Sequence, residues 1–191
     1  MNEIQLGLDT FGDVTLDADG RMKPQDEVLR DVVEQGVVAD QAGVFYLGLG
    51  EHHRDDFAIS APEVVLGAIA GRTEKLRLGT AVTVLSSDDP VRVFQRFSTL
   101  NAVSNGRAEA ILGRGSFTES YPLFGFNLHD YDQLFEEKLD LFATVNRGGA
   151  VKWQGSHRTP LRDQEVWPKT ESGRLAAWIL DHQVPLELCP S

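Results

Sequence analysis

Cysteine is almost absent from the sequence: Cys189 is the only one among 191 residues. A single cysteine cannot form an intrachain disulfide, and it excludes a zinc site built from several cysteines. No apolar run reaches the roughly 18 residues that span a bilayer. The first residues, MNEIQLGLDT, show neither the basic start nor the long apolar core of a secretory signal. We therefore expect a cytoplasmic globular protein without a membrane partner.

Basic residues are also scarce. The sequence has 18 Lys and Arg and 29 Asp and Glu, which gives a formal net charge of −11. A phosphate backbone would repel such a chain, so we expect no nucleic-acid partner. The hydrophobic share of 41% is too high for a disordered protein. A chain of this length can bury roughly 70% of its unfolded surface in one domain.

Four short apolar runs predict β-strands, and they are nearly continuous rather than alternating, as in strands covered on both faces. These runs are Ile4–Leu8, Val44–Leu49, Leu76–Leu85 and Arg107–Leu112. Helical spacing of apolar residues follows each of them, over 24–42, from Pro62, from Asp88 to Gly106, and over 130–145. Strands separated by helices at intervals of roughly 30 to 40 residues predict an α/β fold with parallel strands.

The pattern weakens after Arg147, so we divide the chain into two parts. Residues 1–147 hold four βα units. Residues 148–191 are expected to form an extended surface segment, with Leu175–Leu180 as a possible fifth strand and no recognisable element from Pro185 onward.

Polar residues follow the second predicted strand, at the end where parallel α/β folds place their sites. The segment Glu51-His52-His53 permits three interpretations. It could be a metal site, a solvated loop, or a site at which one histidine acts as acid, base or hydrogen-bond donor beside Glu51. Adjacent side chains on an extended strand point to opposite faces, which opposes a shared metal ion. We favour the single histidine and expect no metal.

The other strand ends leave alternatives open. Gly113, Arg114, Gly115 and Ser116 follow the fourth predicted strand, and they permit either a phosphate cradle or a tight turn. The small residues 79–81 on the third predicted strand permit close approach of a flat ligand, or ordinary packing.

At these loops the sequence resembles the bacterial luciferase-like family of flavin-dependent monooxygenases, over roughly residues 4–170. The matching stretches, in chain order, are GLDTFG (7–12), GLGEHHR (48–54), LRLGTAVTVL (76–85), DDPVRV (88–93), GRAEAILGRGSF (106–117) and YPLFGF (121–126).

The resemblance implies a (β/α)8 TIM barrel that binds reduced flavin, with FMN as the expected cofactor and the deazaflavin F420 as the alternative. It also implies O2 chemistry on an aldehyde or other small organic substrate, with a flavin reductase as a possible partner. His52 would be catalytic, with Glu51 beside it. The implied cofactor-binding residues are Thr10, Ala81, Val82, Thr83, Arg114, Gly115 and Ser116, with a non-prolyl cis peptide between Ala81 and Val82 and the flavin phosphate on Arg114.

The chain departs from this family in length, since the full barrel has eight strands and about 250 residues. Four or five predicted strands indicate a partial barrel, truncated after the fifth unit. Such a half-barrel would expose open strand edges and apolar surface, so we expect a homo-oligomer. The alternative to an active monooxygenase is a truncated, non-catalytic domain that binds flavin or is a remnant.

Overall fold

The computed structural model of the chain describes residues 4–170, 175–181 and 184–188. The strands are β1 (Gly7–Thr10), β2 (Tyr46–Leu49), β3 (Arg77–Thr80), β4 (Thr83–Val84), β5 (Ala108–Gly113), β6 (Ala150–Trp153), β7 (Leu161–Glu165), β8 (Ala176–Asp181) and β9 (Val184–Leu188). The α-helices are α1 (Gln25–Gln41), α2 (Pro62–Ala70), α3 (Pro90–Val103), α4 (Ser120–Phe124) and α5 (Tyr131–Asn146). Short 3₁₀ turns cover Leu85–Ser87 and Leu128–Asp130.

The main sheet has the order β1-β2-β3-β5-β8-β9, and β4 pairs with β5. All pairs are parallel except β8 with β9, which is antiparallel. The register places Leu8 beside Leu47 and Leu47 beside Leu78. This arrangement confirms the α/β fold of parallel βα units. Within the described residues the sheet is open, with β1 at one edge and β9 at the other.

The hydrophobic core lies between the sheet and the helices that connect its strands. Leu49, Leu66, Leu78, Phe97 and Phe142 have no exposed surface, and burying such a side chain stabilises the fold by about 1.5–3 kcal/mol. Helix α3 begins at a defined cap, because the Asp89 carboxylate accepts hydrogen bonds from the backbone N–H groups of Val91 and Arg92. In the described part of the chain, no helix is both long and apolar enough to cross a membrane.

The predicted elements of the first 147 residues are largely confirmed, with three corrections. β1 begins at Gly7 rather than Ile4. The predicted strand Leu76–Leu85 is divided into β3 and β4, and the cis peptide between Ala81 and Val82 lies between them. Helix α4 is an addition, since its five residues are too few to show helical periodicity.

The prediction of an extended surface segment after Arg147 is wrong for residues 150–165, which form the antiparallel hairpin β6–β7. Val151 and Trp153 alternate with exposed residues, and they pack in a second core cluster with Leu141 and Val145 of α5. The Trp153 indole N–H also donates to an Asp140 carboxylate oxygen at 2.8 Å.

The last part of the chain gives one confirmation and one correction. β8 confirms the fifth strand that was predicted at Leu175–Leu180. The expected absence of an element from Pro185 is wrong, because β9 pairs antiparallel with β8 as far as Leu188. Residues 189–191 lie outside the described residues.

Candidate active site at the carboxyl ends of the strands

The loops that follow β1, β2, β4 and β5 meet at one end of the sheet, since parallel strands all end on the same side. Phe11 follows β1 and Phe117 follows β5, and their rings lie 5.1 Å and 4.7 Å from the His52 ring, centroid to centroid. Glu51 precedes His52, and its Oε2 accepts from the backbone N–H of Val84, at the end of β4, at 3.3 Å. These contacts join four loops around the segment that was predicted to carry the chemistry.

His52 is enclosed by aromatic rings and is only 7% exposed. Phe57 stacks on its imidazole at 4.5 Å and 27°, while Phe117 meets it edge to face. Nδ1 of His52 lies 3.2 Å from Oε1 of Glu119. A carboxylate at Nδ1 holds a proton on that nitrogen, so Nε2 is left as the atom that can accept one. His52 is therefore an oriented imidazole in an apolar enclosure.

Glu119 is the partner that sequence reasoning missed. Burial raises the pKa of this carboxyl, but hydrogen bonds from its own backbone N–H and from His52 outweigh burial, and the net effect lowers the pKa. The group is therefore ionised at neutral pH and can orient His52. Glu119 lies five residues after Arg114 and just before α4. No pattern in the sequence links this position to a histidine on a different loop.

His53 points away from His52, as alternation along an extended chain predicts. Its Nε2 lies 2.9 Å from Oε1 of Glu51, and both side chains are 10% exposed. The hydrogen bond to Glu51 raises the pKa of His53, with burial opposing it. The ring meets Phe124 edge to face at 5.0 Å. The two imidazoles therefore have different carboxylate partners.

The peptide bond between Ala81 and Val82 is cis, as the resemblance implies. Both residues are partly exposed, whereas Thr80 and Thr83 on either side have no exposed surface. The hydroxyls of these threonines hydrogen-bond each other at 2.9 Å. A flat ring can therefore lie on Ala81 and Val82, whereas Thr83 is buried and its hydroxyl bonds Thr80 in the interior.

Arg114 follows β5 and lies against helix α5. Its Nη1 is 2.5 Å from an Asp132 carboxylate oxygen, and its guanidinium lies 4.7 Å from the Phe135 ring centroid. Gly115, with a φ of +76°, turns the chain after it, and Ser116 is exposed. A guanidinium beside an exposed hydroxyl and a turn of backbone N–H groups fits a phosphate group.

Thr10 ends β1, and its Oγ1 accepts from the backbone N–H of Gly12 at 3.1 Å. The strand order β1-β2-β3-β5 therefore places Thr10, His52, Ala81 and Arg114 in sequence across the end of the sheet. The structure thus aligns the predicted cofactor residues on both sides of the predicted catalytic histidine.

Comparisons with known proteins identify the family and the fold. A family model described as luciferase-like monooxygenase matches residues 10–185. The alkanal monooxygenase alpha chain of Photorhabdus luminescens is 30% identical over 191 residues, covering 93% of this chain and 52% of that protein. The matched parts amount to 33–53% of the length of four curated relatives.

Two solved structures share the fold. The oxygenating constituent of 3,6-diketocamphane monooxygenase from Pseudomonas putida, in complex with FMN, superposes with a TM-score of 0.76 at 15% identity, over 92% of this chain and 51% of that one. An F420-dependent secondary alcohol dehydrogenase superposes with a TM-score of 0.73 at 17% identity, over 92% and 51%. Since the family model covers far more than half of the sequence, the chain belongs to the luciferase-like monooxygenase family.

Proposed function

We propose that the chain carries the flavin- and substrate-binding site of an oxygenase. This oxygenase uses reduced FMN and O2 on an aldehyde or another small organic substrate. The observation that carries this proposal is the part-buried His52–Glu119 pair. In the strand order it lies next to the partly exposed Ala81 and Val82. Reduced flavin, when bound, supplies the two electrons that let O2 give one oxygen atom to the substrate and the other to water.

The residues present fit a flavin. Ala81 and Val82 would support its ring system, Arg114, Gly115 and Ser116 would hold its phosphate, and Thr10 would border it at β1. Gly113 keeps this end of the sheet closely packed, because a Cβ on it would lie 2.6 Å from Cγ2 of Val82. The phosphate contacts are charge-assisted, which makes Arg114 the strongest single contact we expect.

His52 and its neighbours would carry out the protein's part of the reaction. Glu119 holds the proton on Nδ1, and Nε2 is then available to accept a proton from the substrate or to return one to it. Phe11, Phe57 and Phe117 surround the imidazole and exclude water from it.

The relatives support the choice of substrate and cofactor. Alkanal monooxygenase is named for an aldehyde substrate, and the diketocamphane enzyme is described with FMN. Because one structural neighbour is F420-dependent, F420 remains the alternative cofactor. A separate flavin reductase would deliver the reduced cofactor.

Anaerobic titration of the purified chain with reduced FMN, followed by fluorescence, tests this proposal, with F420 titrated in parallel. Arg114→Ala should weaken FMN binding by about 1.5–3 kcal/mol, the scale of a hydrogen bond to a charged group. Arg30→Ala is the matched control, because the Arg30 side chain is 68% exposed and pairs with Asp26 on α1. Absence of saturable binding, or equal affinity in the Arg114 variant, contradicts the proposed site.

A second candidate function is flavin binding without oxygenation, and the open sheet within the described residues favours it. An open sheet shields bound flavin from water less well than a closed barrel. The flavin-loaded chain is mixed with O2 and an aldehyde, and the products are quantified. Carboxylic acid supports the oxygenase, whereas hydrogen peroxide alone supports the non-catalytic function. Light scattering on the same sample tests the expected homo-oligomer.

A further inference from the structure

A cavity of about 310 Å³ lies on the His53 side of the β2 loop, and the proposed oxygenase chemistry does not use it. The starts of helices α2 and α3 line it, together with Lys138 of α5 and Arg158 of the segment before β7. Pro62, Phe124 and Phe126 provide an apolar wall. The volume is that of a small-molecule site at the lower end of the usual range.

Lys138 is the most unusual residue of this cavity, because its side chain carries a charge and the residue is only 3% exposed. Nζ donates to the backbone carbonyl oxygen of Ser86 at 2.6 Å and lies 3.7 Å from the Phe126 ring centroid. An ammonium group has three hydrogens to donate. In the described part of the chain, only the Ser86 carbonyl accepts one of them, so the buried group retains hydrogen-bonding capacity.

The carboxylates that line the cavity already have hydrogen-bond or ion-pair partners. They are Glu51, Glu63, Asp88 and Asp89. Glu51 binds His53, and Arg96 pairs with both Glu63 and Asp88. Arg158 donates to Asp89 at 2.6 Å. Among residues 4–170, 175–181 and 184–188, no carboxylate lies within ion-pair distance of Lys138, which makes it the lining ammonium that lacks an anion.

Burial lowers the pKa of Lys138 to about 8, although Asp88, Asp89 and Glu137 oppose the shift. An anion placed against Nζ would offset the lost hydration of the ammonium and raise this pKa again. Burying a cation without an anionic partner is costly, and a bound anion would remove that cost.

We propose that this cavity binds a small organic carboxylate, whose anionic head accepts hydrogen bonds from Lys138 and whose apolar part packs against Pro62, Phe124 and Phe126. The half-exposed Phe124 places the cavity at the surface, so a ligand can enter. The proposal does not depend on the proposed oxygenase function, because His52, Ala81 and Arg114 do not line the cavity, and no flavin is needed.

Isothermal titration calorimetry of the whole chain, without flavin, tests the site with benzoate as the probe and benzamide as its neutral analogue. Saturable binding of benzoate is expected, with much weaker binding of benzamide. Lys138→Met should reduce the affinity for benzoate roughly tenfold to hundredfold, the range for a hydrogen bond between charged groups. Lys152→Met is the matched control, because the Lys152 side chain is 77% exposed on β6, and it should bind benzoate as the wild type does.

A measurement on the wild type keeps the test valid if Lys138→Met does not fold. Benzoate affinity should fall between pH 7 and pH 9.5, and binding at pH 8 should take up protons, seen as different heats in two buffers. Other charged or titratable groups near Lys138 are Asp88, Asp89, Glu137, Arg96, Arg158, His53 and His157. The two histidine rings are followed separately by NMR. Equal binding of benzoate and benzamide, absence of saturable heat, or a pH-independent affinity overturns the proposal.

Discussion

His52 and His53 are neighbours in the sequence, and each is bonded to a glutamate, but their surroundings differ. His52 lies among three phenylalanine rings and pairs with Glu119 from another loop. His53 pairs with its near neighbour Glu51 and borders a cavity with charged walls. A histidine–carboxylate pair therefore does not by itself indicate a function, because the polarity of its surroundings determines its chemistry.

The difference also shows how one strand end can serve two sites. Alternation along the extended backbone sends one ring toward the loops of β1 and β5 and the next toward α2 and α3. A substitution that affects only one ring should therefore leave the other site intact. The three predictions below use this separation.

The largest effect is expected from Gly50→Ala, which disturbs the His52 side. A Cβ at Gly50 would overlap the ring of Phe11, which encloses His52. The resulting overpacking should lower the free energy of unfolding by about 1–3 kcal/mol, measured by urea denaturation. Gly67→Ala is the control, since a Cβ there meets nothing within 4 Å in helix α2, and it should stabilise the chain by about 0.5–1 kcal/mol. Equal stability of the two variants would show that Phe11 is not held against Gly50.

A smaller effect is expected from Glu119→Gln, which keeps the shape of the His52 partner and removes its charge. If the chain oxygenates substrate, the yield of oxygenated product should fall about tenfold. This is less than the roughly hundredfold or more that a direct acid–base group contributes, because Glu119 acts through His52. Affinity for reduced FMN should not change. Glu51→Gln should affect the yield much less, because Glu51 binds the other histidine. Equal losses in the two variants would contradict the separation of the two pairs.

The smallest effect is expected from Glu51→Gln on the titration of His53. The hydrogen bond to Glu51 raises the His53 pKa in the folded chain, so the pair stabilises the fold fully below the ordinary histidine pKa of about 6.5. That contribution is lost as pH rises through the raised value. The variant should therefore lose stability relative to the wild type at pH 6 and approach it at higher pH. NMR titration should show a lower His53 pKa in the variant than in the wild type, and an unchanged His53 pKa would contradict its pairing with Glu51.

Much of the fold was predictable because its elements are long or repeated. Helix α1 has seventeen residues, enough for several turns of apolar periodicity, and the βα order then predicts parallel strands. The hairpin β6–β7 was not predictable, since its four- and five-residue strands lie among Gly, Pro and charged residues. β9 begins beside Pro185, a residue that argues against a strand except at an edge.

The residues of the candidate site that directly follow a strand were predictable, whereas the contacts between different loops were not. His52 and Arg114 follow apolar runs directly, so their location is set by local pattern. The enclosure of His52 by Phe57 and Phe117, and its bond to Glu119, arise from loops that meet only in the folded chain. For Thr83, the sequence locates the residue near the predicted ligand surface but not the direction of its side chain, whose hydroxyl bonds Thr80.

The pairing of β8 with β5 has a consequence for the order of folding. Glu109 aligns with Ala176, and helix α5 and the β6–β7 hairpin lie between them in the chain. Closing so long a segment costs entropy before the new strand pair contributes any stability. We therefore expect β1, β2, β3 and β5 to assemble first, with β8 docking last and its backbone amides exchanging with solvent sooner than those of β5.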